Sequence, residues 1–200
     1  MSLNLSSETN GTTINTIKLS KVQRGQRINL SKEQPTLKRV LMKLVWDGED
    51  LDATVILLDD KEKFIRKDDQ TSMIFYHNLE GAGIKHSGDL RSGGTEEVTI
   101  DLDKVEYNVN TLMFVASSHA ETPSEKVTFG QVRNAKAYLI NADTNDALYE
   151  FDLEEDHSTS TAVEMARLYK KNGEWRFTSL EEDVGSHHMG LQSILDKYNV

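Results

Sequence analysis

The length and spacing of the apolar runs narrow this chain most. From Pro35 onward they cover residues 40–46, 51–58, 73–76, 98–102, 112–117, 135–140 and 148–153, each four to eight residues long. Gly, Asp, Asn or Ser bounds each run. Val98, Ile100 and Leu102 alternate with the polar Thr99 and Asp101, the period of a half-buried strand. No helical pattern of 10–15 residues separates one run from the next, so βαβ units are excluded. The reading is an all-β fold, a two-sheet antiparallel β-sandwich with one or two peripheral C-terminal helices.

The two ends depart from this pattern. Residues 1–15 are rich in Ser, Thr and Asn and read as a flexible N-terminal tail, leaving 16–200 as a single domain. Two similar segments follow, IKLS at 17–20 and INLS at 28–31. The spacer between them carries Lys21, Arg24, Gly25 and Arg27, which suggests a hairpin with a basic tip. Residues 162–171 place Ala162, Val163, Met165, Ala166, Leu168 and Tyr169 at helical spacing. Thr161 and Glu164 fit a capping box, and Gly173 serves as a stop. A helix over 162–171 is therefore expected, then a strand at 175–177 and a second short helix over 189–198.

Composition removes whole classes of function. The chain has no cysteine, so thiol catalysis, disulfides and cysteine-held metal are excluded. With 33 acidic against 23 basic residues the formal net charge is −10, which argues against a nucleic-acid surface. No apolar run approaches the roughly 20 residues of a bilayer-spanning helix. The first residues lack the basic and apolar regions of a secretory signal. A cytoplasmic protein is expected. Phosphate-loop, nucleophile-elbow and zinc-protease motifs are all absent. Gly81-Ala-Gly83 lacks the strand–helix context of a dinucleotide fingerprint.

The negative charge is concentrated in places. The runs at 152–156 and 181–183 read as solvated faces or charge at a helix start. Asp50 and Asp52 are different, because two positions apart on a strand they share a face. At about 4 Å and an effective dielectric of about 20, two such charges repel by about 4 kcal/mol. Solvation, protonation or a bound cation would relieve this. Asn78, Ser87, Asp89, Glu96 and Glu97 offer further oxygen donors. An oxygen-only set suits a hard cation, Ca²⁺ before Mg²⁺. The EF-hand spacing is absent, so such a site would draw on separate loops. A metal-dependent hydrolase on the same acids, with His86 as general base, is a lesser alternative. The aromatic residues Trp46, Phe75, Phe114, Phe129, Trp175 and Phe177 read as core.

Several strings, in order, resemble one family. They are IKLS and INLSKE, WD followed by DLDA at 50–53, IFYHNL at 74–79, HSGD at 86–89, FGQV at 129–132, DLEEDHSTSTA at 152–162 and LYKKNGEWRF at 168–177. Together they resemble the TerD family of tellurium-resistance and calcium-binding stress proteins, over roughly residues 17–180. The resemblance implies a β-sandwich, Ca²⁺ held by acidic loops, a stress-linked cytoplasmic role without known catalysis, and protein partners such as other stress proteins of the same system. It places Asp50, Asp52, Asn78 and Asp89 among the metal-binding positions. The loop after Asp89 is shorter than the family pattern and carries Leu90 and Arg91. The resemblance therefore also allows a scaffold whose calcium binding is weakened or lost.

Overall fold

A computed structural model describes residues 20–21, 23–66, 70–185 and 187–198; most of the expected tail and first segment lies outside these. In chain order the first elements are β1 (Ser20–Lys21), β2 (Arg27–Ile28), α1 (Leu30–Glu33), β3 (Arg39–Asp47), β4 (Leu51–Leu58), β5 (Met73–Ile74), β6 (Glu80–Gly81) and β7 (Ile84–His86). They are followed by β8 (Gly94–Asp101), β9 (Thr111–Ser118), β10 (Arg133–Asn141) and β11 (Asp146–Asp152). The last are α2 (Leu153–Asp156), β12 (Ala162–Lys171), β13 (Glu174–Asp183) and α3 (Gly190–Tyr198). One sheet runs β1-β11-β10-β3-β8-β7-β6 and the other β2-β13-β12-β9-β4-β5. Neighbours are antiparallel except for the parallel β1–β11 pair. Every expected apolar run from 40 to 153 lies in or beside a strand.

The sheets pack face to face over a core that includes Leu44, Trp46, Val55, Phe114, Phe129, Leu139, Met165 and Phe177. Tyr149 of one sheet stacks on Phe177 of the other with ring centroids 4.3 Å apart. Burial of rings this large dominates the energetics of a sandwich. Trp175 departs from its expected core role. It is only partly buried, and the Lys170 ammonium lies over its ring at 5.1 Å.

A second apolar cluster covers the outer face of the six-stranded sheet. Ile56, Met73, Met113 and Val115 meet Leu191 and Ile194 of α3 there. β4 is consequently buried along its whole length. The Lys197 Nζ of α3 lies 2.7 Å from the buried Glu164 carboxylate.

The expected helix over 162–171 is corrected: these residues form β12. A bulge accounts for the misleading pattern. Glu164 pairs with Val115 and Ala166 with Phe114, so Met165 is an extra residue in the ladder. Val163, Ala166 and Leu168 all reach the core between the sheets. The inserted residue turns a strand period into an i, i+3 spacing. The hairpin expected at 17–31 is corrected as well, because β1 pairs with β11 and β2 with β13, in different sheets. The expected helix at 189–198 is present as α3. Asp152 caps α2 by accepting the Glu155 N–H, which places the acidic run 153–156 at a helix start.

Candidate metal centre

The chain leaves one sheet at the end of β3 and enters the other at β4. The crossing is the turn 48–50, and Gly48 takes it with a φ of +109°. Asp50 closes this turn, and Asp52 follows on the outer face of β4. The loop between β7 and β8, belonging to the opposite sheet, brings Asp89 alongside. One carboxylate oxygen from each of Asp50, Asp52 and Asp89 lies within 4.8 Å of the others. The same-face argument from sequence thus holds for Asp50 and Asp52, and the fold brings Asp89, also among the expected donors, beside them.

These acids have few compensating donors. Asp52 is only 3 % exposed, and no side-chain hydrogen bond to it is found among the described residues. The Asp50 Oδ1 atom is buried with no hydrogen-bond partner among the described residues. Burial, followed by the Asp89 charge, lifts the Asp50 carboxyl from 3.8 to about 6. Burial and then the Asp50 charge hold the Asp52 carboxyl well above its ordinary value. Burial and the same aspartates also raise the Tyr76 hydroxyl. His119 and Arg91 act to lower the Asp50 carboxyl, and the Arg91 Nε lies 3.3 Å from Asp89 Oδ2.

A pH dependence with a definite sign follows. The folded pKa values of Asp50 and Asp52 are raised, so the folded state binds more protons than the unfolded chain. Their contribution is fully favourable below the unfolded value near 4 and is lost as pH rises through the raised folded values, about 6 for Asp50. In chelator, this part of the stability is expected to grow as pH falls from 8 to about 5. Thermal melts across that range check the direction. A melting temperature that falls steadily on acidification over this interval would contradict it.

The other expected donors have other tasks. Glu96 is fully buried, and its oxygens accept the Ala53 N–H at 2.8 Å and the Leu90 N–H at 3.1 Å. Glu97, the next residue along the strand, faces the opposite way and lies 3.4 Å from Lys43 Nζ. Ser87 Oγ accepts the Glu97 N–H at 2.9 Å and so extends the β7–β8 pairing. Asn78 donates its side-chain N–H to the Met73 carbonyl at 2.7 Å, which secures the segment carrying Tyr76. A cavity of about 500 Å³ opens between the crossing turn and the segment after β9, lined among others by Glu49, His119, Ser124 and Lys126.

Two of the described histidines are committed to contacts within the fold. His86 is buried, its Nδ1 accepts the Gly88 N–H at 3.0 Å, and its Nε2 lies 3.0 Å from the Ala53 carbonyl. With both nitrogens engaged, His86 cannot meet a substrate as the expected general base. Ser160, Asp183 and His157 also cluster, but Ser160 Oγ donates to Asp183 at 2.5 Å. Its proton goes to the carboxylate rather than to an imidazole, so the Ser–His–Asp order of a triad is not met. Among the described residues, no helix is long and apolar enough to cross a membrane.

The fold and this site together define a two-sheet β-sandwich that gathers carboxylates where the chain crosses between sheets. The TerD domain profile matches residues 19–198, and the chain belongs to the TerD family. It is 38% identical over 190 residues to general stress protein 16U of Bacillus subtilis, covering 88% of this chain and 92% of that protein. It is 35% identical over 192 residues to the tellurium resistance protein TerD of Serratia marcescens, covering 90% and 96%. Among solved structures, a homologue of telluride resistance protein (TerD) from Streptomyces coelicolor A3(2) superposes with a TM-score of 0.64. That match covers 78% of this chain and 97% of the other at 20% identity. The resemblance read from the sequence strings is thereby shown, as is the sandwich. The curated relatives carry the names of resistance or stress proteins.

Proposed function

We propose that this chain is a non-enzymatic stress-response protein that binds a divalent cation, Ca²⁺ in the first place, through Asp50, Asp52 and Asp89. The observation that carries this is the Asp52 carboxylate, buried without a hydrogen bond among the described residues and beside two further carboxylates. Such a group is stable when a hard cation supplies the missing charge. Backbone carbonyls and water would complete the six to eight oxygens that Ca²⁺ takes. The cation would neutralise the loops and present the adjoining surface to a protein partner, such as another stress protein of the same system. Tellurium resistance and general stress response are the roles for which the relatives are named. Without cysteine, any dealing with tellurium would not use this chain's own thiols.

A thermal melt in calcium against chelator tests the reading. Calcium at about 100 times its dissociation constant is expected to add about 2.7 kcal/mol. An unchanged melting temperature would sink it. One observation favours the second reading, a scaffold with weakened calcium binding. Arg91 already supplies a positive charge at Asp89, and an incoming cation must compete with it. A null calorimetric titration on well-folded protein would select that scaffold.

A further inference from the structure

The expected ligand Glu96 and the unused His86 form a single buried unit. Their side chains are 0% exposed, with His86 Nε2 3.4 Å from Glu96 Oε2. Because His86 Nδ1 accepts the Gly88 N–H, the ring proton resides on Nε2, which faces the Ala53 carbonyl. Glu96 accepts the Ala53 N–H with one oxygen and the Leu90 N–H with the other. Both polar groups of Ala53 are thus met by side chains from the opposite sheet. A strand would meet them elsewhere, but β5 pairs with β4 only at Val55 and Ile56. The residues on both sides of Asp89, Gly88 and Leu90, are held by the same two side chains. Ala53 adjoins Asp52.

We infer that Glu96 and His86 are positioning residues, a clamp that fixes Asp89 against Asp52 and builds the cation site before any cation arrives. The inference rests on the reading of the three aspartates as cation ligands. The order of events is then not one in which the loop opens without metal and orders with it. Here the loop is anchored by hydrogen bonds that do not involve the cation. The repulsion among the aspartates is held in place by Glu96 and His86, so the cation meets a formed site and no ordering cost is deducted from its affinity.

The test uses the full chain and calcium chloride. Hydrogen exchange in chelator should find the Gly88 and Leu90 amides protected in the wild-type protein. Free exchange of both would overturn the clamp. Glu96→Gln places an amide N–H₂ against one of two backbone donors. It is expected to weaken calcium binding 10- to 100-fold by calorimetry, the usual cost of losing a group that orients a ligand. A folded Glu96→Gln protein with wild-type affinity would also overturn it. His86→Asn keeps an acceptor near the Nδ1 position and should stay closer to wild-type affinity than His86→Leu; equal losses would count against the clamp. Should Glu96→Gln fail to fold, amide protection and the His86 pair still decide. Absence of calcium binding in the wild-type protein would overturn the ligand reading instead, while protection in chelator reports on the clamp separately.

Discussion

Asp52→Asn is expected to melt higher than the wild-type protein in chelator and to lose the calcium response. The two effects have opposite signs and one cause. Asp52 is buried, lacks a hydrogen bond among the described residues and stands beside Asp50 and Asp89. Removing its charge ends a like-charge contact in a poorly solvated place, a gain of about 1–3 kcal/mol at neutral pH. The same change removes a formal charge and an oxygen donor of full strength. Affinity at oxygen sites follows ligand charge, so calcium binding is expected to weaken by about 100-fold or more. Paired melts and calorimetry on the variant check both signs. A variant less stable in chelator but still responsive to calcium would show that Asp52 serves the fold and not the ion.

Gly190→Ala is expected to be the most damaging single-methyl substitution in the chain. A Cβ there would collide with the Thr161 carbonyl oxygen and stand 2.9 Å from that of Ser118. Both are backbone atoms at the ends of β12 and β9 and cannot rotate aside. The helix must lift, loosening Leu191 and Ile194 from the cluster of Ile56, Met73 and Val115. Full exposure of each such side chain costs about 1.5–3 kcal/mol. Lifting also pulls Lys197 away from Glu164, leaving a buried carboxylate without its cation. A loss of about 3 kcal/mol is expected, read from the urea midpoint. A variant within about 0.5 kcal/mol of wild type, the range of an ordinary surface change, would contradict the seating of α3.

The sequence disclosed much of the fold because most strands keep a plain period and end at turn residues. It misled at β12, where Met165 is one residue too many and the spacing of Val163, Ala166 and Leu168 imitates a helix. It misled again at 17–31, since two similar segments need not pair. The aspartates were legible in part. Asp50 and Asp52 share a face by strand geometry alone, which is local information. Which carboxylate stands opposite them depends on how the two sheets meet. Glu96 and Glu97 are adjacent and alike in sequence, yet one is sealed inside and the other faces Lys43. Strand alternation separates the two faces, but only the packed sandwich shows which face is inside. His86 was noticed for its neighbours, while its task of sealing the open edge of β4 at Ala53 was beyond reach from sequence.

The placement of the first two strands has a consequence for how the molecule is made. Ser20 pairs with Tyr149, and Ile28 with Phe177. A ribosome delivers β1 and β2 long before it delivers their partners. The earliest strands are therefore among the last to find their places, and both sheets keep an unfilled edge until the final third of the chain has emerged. During that interval the acidic crossing turn and the β7–β8 loop are already available. All three aspartates and Glu96 are therefore synthesised before the strands that complete the two sheets at their far side.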